Sequence, residues 1–150
     1  CISDYFCDKT NQNPIDYIPM QAVTMSKIAS DYSNLLFKND SYADYLFFHG
    51  LSVQLTEALA EYIHSVIRNE CGFADSPEIT NKEVLTQKYR GCRFSFGYPA
   101  CPNVSDSALQ IKLLEAHKIG ISIDEADQLH PEQSTTAIVS LHSEARYFSV

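Results

Sequence analysis

Apolar residues recur at intervals of three and four between Leu51 and Ile67, through Leu55, Ala58, Leu59, Tyr62, Ile63 and Val66. That spacing puts them on one face of a helix. Asn39 and Asp40 are breakers ahead of it, so the pattern predicts one long helix over about 41–69. Gly50 lies inside, where it weakens the helix locally or admits a close neighbour. Ser26 is placed to cap a preceding helix that runs to about Lys38. Thr80, with Glu83 three residues on, reads as a capping box for a short helix over Asn81–Tyr89. Ser105 or Asp106 caps another, to about Lys118, which Gly120 ends.

Between these helices the pattern changes to short extended runs. Tyr17–Thr24 predicts a strand, with Pro19 marking an edge or a bulge. Ile121–Ile123 is a short strand, followed by a turn or short helix over Asp124–Leu129. Ala137–Leu141 and Tyr147–Val150 read as strands joined by a hairpin-length connection. Residues 1–6 fit the tail of a helix or a short strand, and KTNQNP (9–14) and residues 72–77 fit loops. Helices and strands are grouped, not regularly alternating. The prediction is therefore α+β: a twisted antiparallel sheet flanked by helices, one of them long (about 41–69).

Composition narrows this picture. At 150 residues, with 45% hydrophobic and 20% charged residues, the chain is one soluble domain's worth. No apolar run approaches the roughly 20 residues needed to span a bilayer. A net charge of −8 argues against nucleic acid and against an anionic membrane. One basic cluster, Lys82, Lys88, Arg90 and Arg93, is either a guide for an acidic partner or a solvated face. The five cysteines contain no close-spaced pair, which points to reduced thiols and a cytoplasmic setting, not a disulfide framework or zinc site. The chain starts at Cys1 and stops inside an apolar run, so both ends read as cut and the chain as part of a longer domain.

The candidate chemistry concentrates in Arg93–Pro102, RFSFGYPACP. Gly97 permits positive φ or close approach of a ligand. Pro99 and Pro102 push Tyr98 and Cys101 toward extended backbone, so the loop is stiff. Arg93 brings a planar fork suited to a carboxylate or phosphate. The segment is either a cradle for a small charged ligand or a turn with an exposed arginine. On the long helix, Glu57, Glu61, His64 and Arg68 share a face. By themselves they read as a solvated, salt-bridged surface. Glu61-x-x-His64 is half of a carboxylate-bridged metal motif, and the other half is absent.

YRGCR (89–93) followed by GYPACP (97–102) closely resembles the core motif of the activation, or reactivation, domain of cobalamin-dependent methionine synthase. LTEALAEYIH (55–64) resembles the family's preceding long helix, DYI (16–18) with AVT (22–24) an earlier strand, and RYF (146–148) the late strand that closes the site. The resemblance implies S-adenosylmethionine binding, with Glu57, Arg93, Ser95, Gly97, Tyr98, Tyr147 and Phe148 as ligand contacts and no catalytic residue. A carboxylate at Glu57 suits the ligand's ammonium and sulfonium. An aromatic at Tyr147 suits the sulfonium. Another contact of the family, an aspartate on an early helix, would lie before Cys1, and Asp4 is not its equivalent.

The implied role is reductive methylation of inactive cobalamin, which another domain of the same methyltransferase holds. Flavodoxin or a flavoprotein reductase would donate the electron, and the chain would be a monomer. Because sulfonium is a good leaving group and reduced cobalt a strong nucleophile, positioning is the protein's task. Two alternatives stay open: a docking module for the cobalamin domain or flavodoxin that binds no ligand itself, and a reactivation domain for another corrinoid methyltransferase. The stretch HPEQSTT (130–136) departs from the Gly-Ala-Ser-rich turn of some family members, which leaves its contacts open.

Overall fold

A computed structural model describes residues 1–8, 10 and 16–148. Five strands and four α-helices are assigned among them: β1 (Met20–Thr24), α1 (Ser26–Lys38), α2 (Tyr42–Glu70), α3 (Asn81–Leu85), β2 (Cys92–Phe94), α4 (Asp106–Leu113), β3 (Ser122–Ile123), β4 (Leu129–His130) and β5 (Ser134–Ser140). Short 3-10 helices cover Ile2–Tyr5 and Ala116–Ile119. The fold is α+β, as predicted, with an antiparallel sheet in the order β1-β5-β2 and a separate β3-β4 hairpin.

β5 is the central strand. It pairs with β1 from Met20↔Ile138 to Thr24↔Ser134, and with β2 from Cys92↔Ser140 to Phe94↔Ile138. Both of its edges are therefore occupied, and a hairpin back onto it has no ladder to join. This overturns the predicted late strand at Tyr147 and Phe148, which carry no strand pairing. The last two residues of that strand, and most of the KTNQNP loop, lie outside the described residues. Pro19 precedes β1, an edge strand, and its carbonyl accepts from the Val139 N–H (2.8 Å), so its missing donor costs the ladder nothing. Gly91 enters β2 at φ +88°, and a Cβ there would sit 2.5 Å from the Ser140 carbonyl oxygen. Only glycine permits that strand to approach β5 so closely.

The core is a set of small clusters. Phe94, Cys92 and Ala145 pack with Tyr5 and Phe148 under the sheet, and Ile111, Ala116 and Ile121 pack beside α4. Phe94 and Val139 are fully buried, each contributing about 2 kcal/mol of hydrophobic stabilisation. Buried amides tie the layers together. Gln21 Nε2 donates to the Ala60 carbonyl of α2, and Gln110 Nε2 donates to Ala137 of β5.

Helix α2 differs most from the reading of its pattern. Its buried line is Ser52, Thr56, Ala60, His64 and Arg68, at strict four-residue spacing. Leu51, Leu55 and Tyr62, members of the apolar face, are exposed. Small side chains let α2 lie close against β1 and the strand entry: Thr56 Oγ1 donates to the Gln133 carbonyl, 3.2 Å away. Gly50 has no neighbour close to where a Cβ would stand, so it is a weak point and not a close contact.

Other boundaries move for local reasons. Ser26 does not cap α1 with its side chain; it lies at φ +69° and its N–H donates to Thr24 Oγ1. The Thr80–Glu83 capping box forms as predicted, but α3 stops at Leu85 and Gln87 turns left-handed at φ +53°. Helix α4 stops at Leu113 because Glu115 is left-handed (φ 49°), and Gly120 (φ 82°) ends the 3-10 turn that follows.

Candidate functional site

The loop after β2 is built as its residues suggest. Gly97 sits at φ +85° with its N–H donating to the Cys101 carbonyl (2.8 Å), and the Cys101 N–H returns to the Tyr98 carbonyl (2.8 Å). This tight closure holds Tyr98 outward. Along β2, Cys92 and Phe94 turn into the core while Arg93, between them, points to the other face.

There a cleft of about 430 Å³ opens, and Glu57 from α2, Arg93, Ser95 and Tyr98 from the motif and Tyr147 from the C-terminal segment all line it. Five of the seven predicted site residues thus meet in one place. Gly97 and Phe148 do not line the cleft. Gly97 shapes the loop, and Phe148 packs against the Phe94 ring, 6.2 Å between centroids. Tyr147 lies nearly parallel to Phe94 (6.4 Å, 21°), which fixes its ring at the rim. Gln87, Tyr89 and Thr135 complete the lining and were not singled out from the sequence. Tyr89 stands in the YRGCR motif, which is its signal in the sequence. Thr135 and Gln87 offered none. A larger cleft, about 600 Å³, lies between α1 and the β3-β4 hairpin, but none of the motif residues reaches it.

Behind the cleft lies a buried polar cluster. Arg93 Nη2 and the Tyr89 hydroxyl both donate to Glu61 Oε2, at 3.1 and 3.0 Å. The Arg68 guanidinium stacks on the Tyr89 ring at 3.8 Å and donates from Nε to Asp75 Oδ1 at 2.9 Å. The His64 ring meets the edge of Tyr89 at 5.3 Å. Glu61, His64 and Arg68 therefore do not form the solvated face that was one sequence alternative; His64 and Arg68 have no exposed surface. Of the basic cluster, Lys82, Lys88 and Arg90 stay exposed and Arg93 leaves it. Arg93 turns inward to Glu61, and Arg90 covers the Phe73 ring and donates to the Leu141 carbonyl.

The electrostatics follow from burial. Desolvation, aided by the Arg68 and Arg93 charges, lowers His64 to a pKa of about 3. It is neutral, so its 3.9 Å approach to Glu61 is not an ion pair. Burial and then the Glu61 charge push the Tyr89 hydroxyl well up, which keeps it a donor. Burial raises the Cys92 thiol to about 11, and burial and then Asp106 raise Cys101. Neither is a nucleophile at neutral pH. No group of three or more His, Cys, Asp or Glu is arranged to hold a metal ion among the described residues. What the cleft offers is a guanidinium, a carboxylate and aromatic faces, suited to a small ligand carrying charges of both signs.

Known proteins are similar to this chain in sequence and fold. The family model described as vitamin B12 dependent methionine synthase, activation domain, matches residues 1–150. Methionine synthase of Mycobacterium tuberculosis (strain ATCC 25618 / H37Rv) is 45% identical over 160 aligned positions, covering 100% of this chain. The Mycobacterium leprae (strain TN) methionine synthase is also 45% identical. The chain spans 13% of the length of these two relatives. A crystal structure of the MetH reactivation domain bound to AdoHcy superimposes with a TM-score of 0.93 at 28% identity, over 99% of this chain and 46% of that one.

Proposed function

The chain belongs to the vitamin B12-dependent methionine synthase activation-domain family, and from that premise we propose that its Arg93 cleft binds S-adenosylmethionine for the reductive methylation of cobalamin. The observation that carries the reading is convergence. Glu57, the residues Arg93, Ser95 and Tyr98, and Tyr147 come from three separated stretches of the chain and line one cleft. The related reactivation domain was solved with AdoHcy bound, the demethylated form of this ligand.

The chemistry of the lining matches the ligand group by group. Arg93 receives the carboxylate, Glu57 the ammonium, and the faces of Tyr98 and Tyr147 the sulfonium. Cobalamin, held by another domain of the methyltransferase, supplies the cobalt nucleophile that accepts the methyl group. This chain's residues bind and orient; none of them transfers a proton, because methyl transfer from a sulfonium needs no acid or base. An electron from flavodoxin or a flavoprotein reductase, a monomeric domain and a cytoplasmic setting complete the reading, and residues 1–150 form the later part of a longer activation domain.

Calorimetric titration of S-adenosylmethionine into the chain tests this. The wild type should give saturable heat. Arg93→Ala should weaken binding about 10- to 100-fold, the worth of a charge-assisted hydrogen bond. A folded chain that gives no heat, or an Arg93→Ala variant that binds as tightly, sinks the assignment. In the first case the docking-module alternative becomes the better reading.

A further inference from the structure

Glu61 lines no part of the cleft, yet both Arg93 and Tyr89 donate to one of its carboxylate oxygens. Its other oxygen has no hydrogen-bond partner and lies 3.8 Å from Arg68 Nη1. Arg68 is balanced by Asp75, and His64, also facing Glu61, is neutral. The Glu61 charge is therefore set mainly against Arg93. Arg93 faces two demands if the cleft holds S-adenosylmethionine, the reading on which this inference rests. Its charge attracts the ligand's carboxylate and repels the ligand's sulfonium.

We propose that Glu61 is a positioning and specificity-determining residue, which pins Arg93 and offsets its charge so that the cleft prefers a cationic sulfonium to a neutral thioether. With Glu61 included, Glu57, Glu61 and Arg93 sum to a single negative charge. S-adenosylmethionine carries a carboxylate, an ammonium and a sulfonium, for a net charge of plus one. S-adenosylhomocysteine lacks the methyl group and the sulfonium charge, and is neutral overall. The two ligands present the same carboxylate to Arg93, so effects at that end cancel in the ratio of their affinities. What remains in the ratio is the field at the sulfur. A cleft that favours the cation also lets go of the demethylated product.

The test titrates both ligands into the wild-type chain, Glu61→Gln and Tyr89→Phe, with circular dichroism and melting to establish folding. Glu61→Gln keeps an oxygen that can accept from Arg93 and Tyr89 but removes the charge. Removing a unit charge from behind a partly solvated cleft changes a monocation's affinity on the order of three- to tenfold. The wild type should favour S-adenosylmethionine, and Glu61→Gln should lower that preference by this factor, with S-adenosylhomocysteine held as tightly or more so. Tyr89→Phe deletes one hydrogen bond to Glu61 and leaves the charge, so the preference should survive even where both affinities fall. An unchanged ratio in Glu61→Gln overturns the proposal, as does a ratio lost in Tyr89→Phe. A wild type that binds both ligands without preference overturns it while leaving the site assignment standing; one that binds neither overturns both.

Discussion

Burial holds the His64 imidazole uncharged down to a pKa of about 3, with the Arg68 and Arg93 guanidiniums adding to the effect. Between that value and the ordinary 6.5 the unfolded chain binds a proton that the folded chain refuses. Stability from this residue is complete above pH 6.5 and is lost on acidification through that window. The loss between pH 7 and pH 5 should be on the order of 2 kcal/mol. Urea unfolding at both pH values, for wild type and His64→Leu, measures it: the wild type should lose more, and equal losses would refute the buried neutral histidine. The sequence showed His64 on one face with Glu61 and Arg68 but not that this face is buried. Arg93, Ser95 and Tyr98 were legible because glycine and proline punctuate their loop. The Glu61 contacts to Tyr89 and Arg93 span 28 and 32 residues, beyond any local periodicity. Glu57 and Tyr147 emerged only through family resemblance, since alone they read as a helix surface and a core strand.

At the scale of elements, α2 shows what a hydrophobic pattern contains and what it omits. The pattern located the helix to within a residue or so of Tyr42–Glu70. The apolar face it marked is not the buried one: the buried line is small at Ser52, Thr56 and Ala60, and polar at His64 and Arg68. Ala60 is fully buried beside Gln21, whereas Leu55 is 45% exposed. Ala60→Leu should therefore cost about 1–3 kcal/mol by overpacking, and Leu55→Glu should stay within about 0.5 kcal/mol. Denaturant midpoints of the two variants decide the matter; a larger cost for Leu55→Glu would mean that the apolar face is the buried one. The late strand was misread for a different reason. Tyr147 and Phe148 have strand-like composition, but pairing also needs a free edge, and β5 has none left.

For the molecule as a whole, the α+β class was legible because helices and strands are grouped along the chain. The order β1-β5-β2 was not, since it joins residues 20–24 to 134–138. The same organisation leaves Phe37, Tyr42, Phe47, Leu51 and Tyr62 of α1 and α2 exposed. Exposed apolar side chains of this kind bind apolar dyes. The folded chain should enhance the fluorescence of anilinonaphthalene sulfonate in native buffer while its unfolding stays cooperative, and a dark dye would show that this surface is covered in solution. The buried line of α2 also has a geometry of its own. Each four-residue step along it climbs about 6 Å and turns about 40° around the axis. Glu57 and Glu61, one such step apart beside that line, therefore leave the helix at different heights and bearings. The first reaches the mouth of the cleft and the second the back of Arg93, so the pitch of one helix gives two identical side chains separate tasks, one toward what enters and one toward what stays.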